Sequence, residues 1–212
     1  EGILKRRRDG YDGKGQARIM SPEEASAAAH AVGGAAAILE GFVAFEREVS
    51  VIAARSLDGA VVCYARGENV HVDGILATTT VPARITRAVA TDAVLLGGRI
   101  LTALDYVGVM GIELFVTADG LVVNEIAPRV HNSGHWTQNA CVVDQFEQHI
   151  RAVCGWPLGD GRRHANVVMT NLIGDEVAKW REPATGALHL YGKAEARQGR
   201  KMGHVNEISR QA

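Results

Sequence analysis

At 212 residues, with 47% hydrophobic and 22% charged residues, the chain can bury a substantial core in one or two domains. Its 23 basic residues nearly cancel its 24 acidic ones, so no global field favours a nucleic acid. The one local basic cluster, Lys5-Arg6-Arg7-Arg8, is followed by Asp and Gly rather than by aromatics on which bases could stack. No apolar run approaches the ~20 residues of a bilayer span, so no membrane partner is expected. Cys63, Cys141 and Cys154 are scattered without a C-x-x-C pair. That is the usage of reduced thiols in a cytoplasmic setting, each expected to act as a small buried hydrophobe. The chain starts Glu1-Gly-Ile-Leu without Met or signal architecture and opens inside a strand, as expected for a piece of a longer protein.

Gly2 to Lys5 reads as a strand end running into the glycine-rich turn Arg8 to Gln16. Ser21-Pro22-Glu23-Glu24 starts a helix, with Ser at the N-cap, Pro at the first position and Glu three residues on. Gly33-Gly34 should end it. Strands follow over Ala36 to Phe45 and Glu48 to Arg55, and Asp58-Gly59 turns the chain into a further strand, Ala60 to Ala65. His71 to Thr80 is expected as loop and edge strand, and Thr86 to Leu104 as a long helix. Thr137 to Cys154 fits one amphipathic helix stopped by Gly155. His164 to Ile173 is strand-like, and Gly192 to His204 a basic loop. Hairpins mixed with packed helices predict an α+β fold whose strands join more than one sheet.

Residues 112–126 carry the sharpest chemistry. Apolar runs Ile112 to Val116 and Leu121 to Ile126 flank Thr117-Ala-Asp-Gly120, a hairpin signal with Gly120 suited to the left-handed position of a three-residue loop. With Ala118 to Gly120 as the loop, Thr117 faces Leu121 and Glu113 faces Glu125. Two carboxylates then lie side by side among Leu, Val, Phe and Ile, which like-charge repulsion and desolvation both oppose. A divalent cation answers both objections, and an oxygen-only pair suits Mg²⁺ with phosphate oxygens completing its shell. The competing reading is a glutamate on a solvated face, since a one-residue slip separates the two carboxylates.

Other segments supply polar groups. Gly10-Tyr-Asp-Gly-Lys-Gly15 leaves the backbone able to wrap an anion, with Lys14 as a point charge, although it is not the Walker pattern and, taken alone, a surface turn explains it better. Leu39-Glu-Gly-Phe-Val43 could offer backbone groups to a heterocycle and Glu48 a carboxylate to ribose hydroxyls; an interior strand with a solvated glutamate is the alternative. Pro128 to Thr137 packs Arg129, His131, Asn132, Ser133 and His135 just after Glu125, a density of donors suited to a small planar anion. The spacing His131-x-x-x-His135 invites zinc, but no further ligand accompanies it. Lys193 to His204 holds four cations that could take a phosphate monoester or simply form a solvated tail.

In this order the segments resemble the ATP-grasp family, and within it the N5-carboxyaminoimidazole ribonucleotide synthetases. The matching stretches are LKRRRDGYDGKGQ (4–16), LEGFVAFEREVSV (39–51), ENVHVDGIL (68–76), YVGVMGIELFV (106–116), VNEIAPRVHNSGHWTQNA (123–140) and YGKAEARQGRKMGHVN (191–206). The resemblance covers nearly the whole chain, and the NEIAPRVHNSGHWTQ run separates this group from biotin carboxylase-like relatives. It implies an ATP-grasp fold of two α+β lobes with a small β-rich C-terminal segment, and a carbon–nitrogen ligase using ATP, Mg²⁺, bicarbonate and 5-aminoimidazole ribonucleotide in purine biosynthesis. The implied organisation is a small lobe with a lid over 1–66, a metal-binding lobe over 67–160 and a substrate-phosphate segment over 161–212.

By position, the resemblance makes Lys5, Lys14, Gly13 and Gly15 phosphate-binding residues, with the loop around Lys14 closing as a lid. Glu40, Gly41, Phe42 and Val43 would line the adenine site, Glu48 the ribose site, and Asn124 would join Glu125 at the nucleotide. Glu113 and Glu125 would hold Mg²⁺. Arg129, His131 and Asn132 would surround bicarbonate, and Lys193 and Arg200 the substrate phosphate. Ala140 stands where a glycine is usual and Gln198 where a proline is usual. Family members carry a further N-terminal α/β domain, supplying part of the substrate site and homodimer contacts, so this chain is expected to bind ATP–Mg²⁺ weakly without full turnover. The competing readings are another ATP-grasp carboxylase or ligase with a different acceptor, and a nucleotide-binding module that does not turn over.

Overall fold

The computed structural model describes residues 1–10, 14–180 and 186–210, with backbone alone at 179 and 180. The chain falls into two compact units, Glu1–Ala44 with His71–Ile75, and Phe45–Val70 with Leu76–Ala212.

The first unit is built on a three-stranded antiparallel sheet in which β1 (Gly2–Arg6) lies between β2 (Gln16–Ile19) and β3 (Ala37–Gly41). A Cβ on Gly2 would sit 2.8 Å from the Glu40 carbonyl oxygen, so the closest strand approach depends on that glycine. Ser21 and Pro22 open a 3₁₀ turn, Pro22–Glu24, that continues as α1 (Ala25–Ala31). Gly33 and Gly34, at φ of 70° and 62°, end it as expected from the sequence. The strand expected over Ala36 to Phe45 is shorter than its pattern, stopping at Gly41.

The second unit is organised by a nine-stranded sheet. Its strands are β4 (Arg47–Arg55), β5 (Val61–Cys63), β6 (Gly67–Val72), β7 (Ile75–Val81), β8 (Gly108–Thr117), β9 (Gly120–Ala127), β10 (Asn166–Ile173), β11 (Ala187–Leu190) and β12 (Lys201–Ser209). The order is β11-β12-β10-β7-β6-β4-β8-β9, with β5 also on β4. Val49, Val51 and Ala53 of β4 share one face with Met110, Ile112, Leu114 and Val116 of β8. Against them packs α2 (Arg87–Ala103), whose N-cap Thr86 accepts a hydrogen bond from the Val89 amide. On the opposite face the same strands change character along their length. Ile52, Ala54 and Val109 pack with Tyr64, Trp136 and Met169 at one end. Glu48, Ser50 and Glu113 occupy the other. The sheet therefore presents an apolar anchor and a polar working area on one surface, because side chains alternate at period two.

Several expectations are corrected. Val72 to Ile75 is a hairpin turn, with Asp73 and Gly74 at φ of 51° and 76°, and the strands it joins lie inside the sheet rather than at an edge. The single helix over 137–154 is two, α3 (Thr137–Ala140) and α4 (Gln145–Val153), because Asp144 caps a new start by accepting from the Phe146 and Glu147 amides. The basic loop ends at Arg200, and Lys201 to His204 belong to β12, with Met202, His204 and Val205 buried. Cys141 is buried as expected, whereas Cys154 is exposed. Among the described residues no helix is long and apolar enough to cross a membrane.

Candidate active site

Glu113 faces Glu125 across β8 and β9, the register read from the sequence, but the chain arrives there differently. The loop has two residues, Ala118 and Asp119, so Thr117 pairs with Gly120 and not with Leu121. A bulge between Leu114↔Val123 and Glu113↔Glu125 inserts Asn124 and shifts the ladder by one. The shorter loop and the extra residue cancel. Glu113 is buried at 6% exposure, while Glu125 is exposed, so only the first carboxylate is embedded in the sheet. Glu48 lies two residues along β4 from Ser50, the direct partner of Glu113, and offers a carboxylate oxygen within 4.8 Å of a Glu113 oxygen. Glu113 thus has acidic neighbours on both flanking strands, Glu125 on β9 and Glu48 on β4, a concentration of negative charge that a divalent cation such as Mg²⁺ neutralises.

The loop after β9 brings His131 onto this group. A Cβ on Gly111 would lie 2.5 Å from the His131 Cβ, so the glycine leaves the space in which His131 sits. The His131 ring places Nδ1 3.9 Å from Glu113 Oε1 and 2.9 Å from Ser133 Oγ. Gln145, fully buried at the start of α4, holds the His131 main chain on both sides: Oε1 accepts from the His131 amide at 2.9 Å, and Nε2 donates to the His131 carbonyl at 2.8 Å. Gly134 has no room for a Cβ because Gln145 Oε1 would be 2.5 Å away. Asn132 and Asn171 exchange amide hydrogen bonds of 2.9 and 2.7 Å, and Asn171 also donates to the Leu76 carbonyl at 2.9 Å. Arg129 is exposed and donates to the Val130 carbonyl.

His135 does not join His131 as a second metal ligand. Its ring turns into a stack with Phe146 at 5.4 Å and His204 at 4.9 Å, and His189 continues the stack on His204 at 4.6 Å. Burial holds His135 well below its ordinary value, at about 4, with the nearby His189, Lys201 and Arg129 adding to the effect. Burial likewise takes His204 to about 3, followed by its two imidazole neighbours. Tyr191 Oη lies 2.9 Å from His204 Nδ1, and Lys193 Nζ donates to the Lys201 carbonyl at 2.6 Å. Arg200 donates to the Glu195 carbonyl, so both expected phosphate ligands are oriented by the loop that carries them.

In the first unit, Lys5 Nζ lies 2.6 Å from Glu40 Oε2, a diagonal pair across β1 and β3. Lys14 is exposed, and Gly15, at φ of 73°, passes its carbonyl to the Arg6 amide while the Arg6 side chain fills the space a Cβ would need. Gly41 and Val43 flank Phe42, whose ring lies under the Arg18 guanidinium at 4.3 Å. Gly13 lies outside the described residues.

Residues 1–146 match the ATP-grasp domain family. The chain belongs to the ATP-grasp family. Residues 167–212 match a second family, the phosphoribosylaminoimidazole carboxylase C-terminal domain. A Brucella melitensis biotype 1 protein named N5-carboxyaminoimidazole ribonucleotide synthase is 60% identical, the match covering 98% of this chain and 59% of that protein. A solved structure titled as the ADP complex of an N5-carboxyaminoimidazole ribonucleotide synthetase superposes with a TM-score of 0.92 at 44% identity, covering 98% of this chain and 56% of that one. The Aspergillus clavatus synthase in complex with ADP and 5-aminoimidazole ribonucleotide superposes with a TM-score of 0.90 at 30% identity, covering 99% and 57%. The chain therefore spans a little over half the length of the relatives it matches. The mixed fold expected from the sequence is this ATP-grasp fold with more sheet than helix.

Sequence reading missed several residues that shape this ATP-grasp site. Gln145 and Asn171 act across 14 and 39 residues of chain, and only the QF pair after a capping Asp hinted at the first. Glu68, buried at 8%, gathers Arg47 Nη1 at 3.3 Å, the Arg84 amide at 2.9 Å and Arg84 Nη2 at 3.2 Å, which orients the entry to β6. Backbone and side-chain bonds from Arg84 hold the Glu68 carboxyl below its usual range against the opposing pull of burial.

Proposed function

We propose that the chain carries the ATP-grasp and C-terminal parts of an N5-carboxyaminoimidazole ribonucleotide synthetase. The reaction joins ATP, bicarbonate and 5-aminoimidazole ribonucleotide to give N5-carboxyaminoimidazole ribonucleotide, ADP and phosphate. The observation that carries this reading is the Glu113–Glu125 pairing with Glu48 and His131 gathered on Glu113. An acidic oxygen set beside a histidine and an arginine is what a phosphoryl donor and a small anion need in company.

In this reading Glu113 and Glu125 hold Mg²⁺, which when bound neutralises charge on the phosphates of ATP. Lys5, Lys14, Gly13 and Gly15 contact those phosphates, and Lys5 exchanges its Glu40 partner for them. Glu40, Gly41, Phe42 and Val43 line the adenine, Glu48 accepts from the ribose, and Asn124, the residue inserted by the bulge, joins Glu125 at the nucleotide. Arg129, His131 and Asn132 surround bicarbonate. Asn132 retains one N–H and one lone pair for that purpose after its exchange with Asn171. Bicarbonate oxygen attacks the γ-phosphorus, the bond to the ADP oxygen breaks, and carboxyphosphate forms. The exocyclic amine of the ribonucleotide then takes the carboxyl group, as carboxyphosphate or as CO₂ from it, and phosphate leaves. Water would destroy the mixed anhydride, so the loop around Lys14 serves as a lid. Lys193 and Arg200 hold the 5′-phosphate. The functional division is 1–66, 67–160 and 161–212, and the start of the C-terminal family match at residue 167 supports the last boundary. A cytoplasmic setting and a homodimer belong to the same reading.

Coupled measurement of ADP release tests it. The expected result is release that needs Mg²⁺ and bicarbonate and rises further with 5-aminoimidazole ribonucleotide. Stimulation by a non-ribonucleotide amine instead would overturn the acceptor, and absence of any ATP binding would overturn the assignment.

A further inference from the structure

The polar end of the sheet holds a buried donor, the Asn69 amide, without a hydrogen-bond partner among the described residues. Asn69 of β6 pairs with Glu48 of β4 in register, so the two side chains leave the sheet on one face, and Asn69 is 5% exposed. Its Oδ1 accepts from Thr79 Oγ1 at 3.0 Å and from Ser50 Oγ at 3.4 Å, both from residues that are themselves buried. Nδ2, on the other arm of the amide, is buried and has no hydrogen-bond partner among the described residues. Ser50 lies on the Gly67 side of Asn69, because it pairs with Gly67 while Glu48 pairs with Asn69. Asn69 is the cross-strand neighbour of Glu48, whose carboxylate lies within 4.8 Å of a Glu113 oxygen. A buried donor left unmade costs about 1–3 kcal/mol, which a hydrogen bond to a bound ligand would recover.

We infer that Asn69 is a nucleotide-binding residue, its Nδ2 donating to an oxygen of the ligand held at Glu48 and Glu113. This rests on the reading of that site as an ATP site. The ligand oxygen belongs either to a ribose hydroxyl or to the polyphosphate, and both present the same acceptor. Ser50 and Thr79 are then orienting residues that set the Asn69 amide, while Asn69 alone touches ligand.

Calorimetric titration of the 212-residue chain and of Asn69→Ala and Asn69→Asp with ATP–Mg²⁺, adenosine and tripolyphosphate–Mg²⁺ tests the inference, with melting temperature recorded for each. The expected result is a loss of about tenfold or more in ATP affinity for both variants, the size of one hydrogen bond to a ligand. Asn69→Ala also takes the acceptor from the Thr79 and Ser50 hydroxyls and should lower the melting temperature, so affinity is compared at a temperature where each variant is fully folded. Loss confined to adenosine and ATP places the acceptor on the ribose; loss confined to tripolyphosphate and ATP places it on the phosphates. The uncharged Asn69→Ala separates a lost donor from the repulsion Asn69→Asp adds toward phosphate. Variants that bind ATP as the parent does, or that lose binding only in proportion to lost folding, would overturn the inference. A parent chain that binds no ATP would instead overturn the ATP-site reading.

Discussion

Glu113 keeps its carboxylate in the sheet at 6% exposure with a second carboxylate oxygen within 4.8 Å and a histidine nitrogen at 3.9 Å. Without a cation that arrangement is strained by repulsion and desolvation together. Glu113→Gln should therefore raise the melting temperature of the metal-free protein, each kcal/mol relieved appearing as about 2–4 °C in a chain of this size. The same variant should lose the extra stabilisation that ATP gains from Mg²⁺. Differential scanning fluorimetry with and without both reads the two effects, and a metal-free variant less stable than the parent would refute this electrostatic account. Asn132 was legible as a polar loop residue, but not as half of an amide pair, because its partner Asn171 lies on another strand. Removing either side chain leaves the other amide unsatisfied, at about 1–3 kcal/mol. Asn132→Ala and Asn171→Ala should each destabilise, and the double variant by less than their sum. Urea unfolding of the four proteins gives the coupling, expected at about 0.5–3 kcal/mol, and strict additivity would dissolve the pair.

At the level of elements, caps and glycines were readable because they act within a few residues. Thr86 and the Gly33-Gly34 stop fall where the sequence places them. Asp144 was overlooked inside an amphipathic run, although it accepts from two amides at 2.7 and 2.9 Å and starts α4 anew. Asp144→Ala should cost about 1 kcal/mol by thermal unfolding, and should also loosen Gln145 one residue on. A reduced kcat at unchanged KM for ATP, in the reading above, would follow if His131 moves with it. An unchanged melting temperature would show that the cap contributes nothing. The Glu113–Glu125 hairpin gives the opposite lesson. The pairing was legible although its loop was read one residue too long, because the Asn124 bulge restores the register the longer loop had assumed. Bulges leave no periodic signal, since the strand's alternation resumes after the extra residue.

Across the whole molecule, the imidazoles of His135, His189 and His204 tie the active-site loop to β11 and β12. Burial keeps His135 at about 4 and His204 at about 3, against about 6.5 in an unfolded chain. Between those values the unfolded chain binds protons that the folded one refuses, so stability is complete above about pH 6.5 and is lost as pH falls through that window. Thermal unfolding from pH 4 to pH 8 should show this slope, His204→Asn should flatten it, and a variant with the parent's slope would remove the stack as its source. Nothing local announces such a stack. Hydrophobic alternation, turn residues, caps and the segments resembling known ligases were all present in the sequence, and they determined strand and helix identities, the acidic hairpin and the ATP-grasp family. Only the tertiary structure decided that β6 and β7 lie within the sheet, and that Gln145 clasps His131. It alone placed Asn69, with a buried amide donor, opposite Glu48. The physical reason is range: periodicity reports which face of its own element a residue occupies. The partner waiting on that face can be 95 residues away, as Leu76 is from Asn171, and is set by strand order.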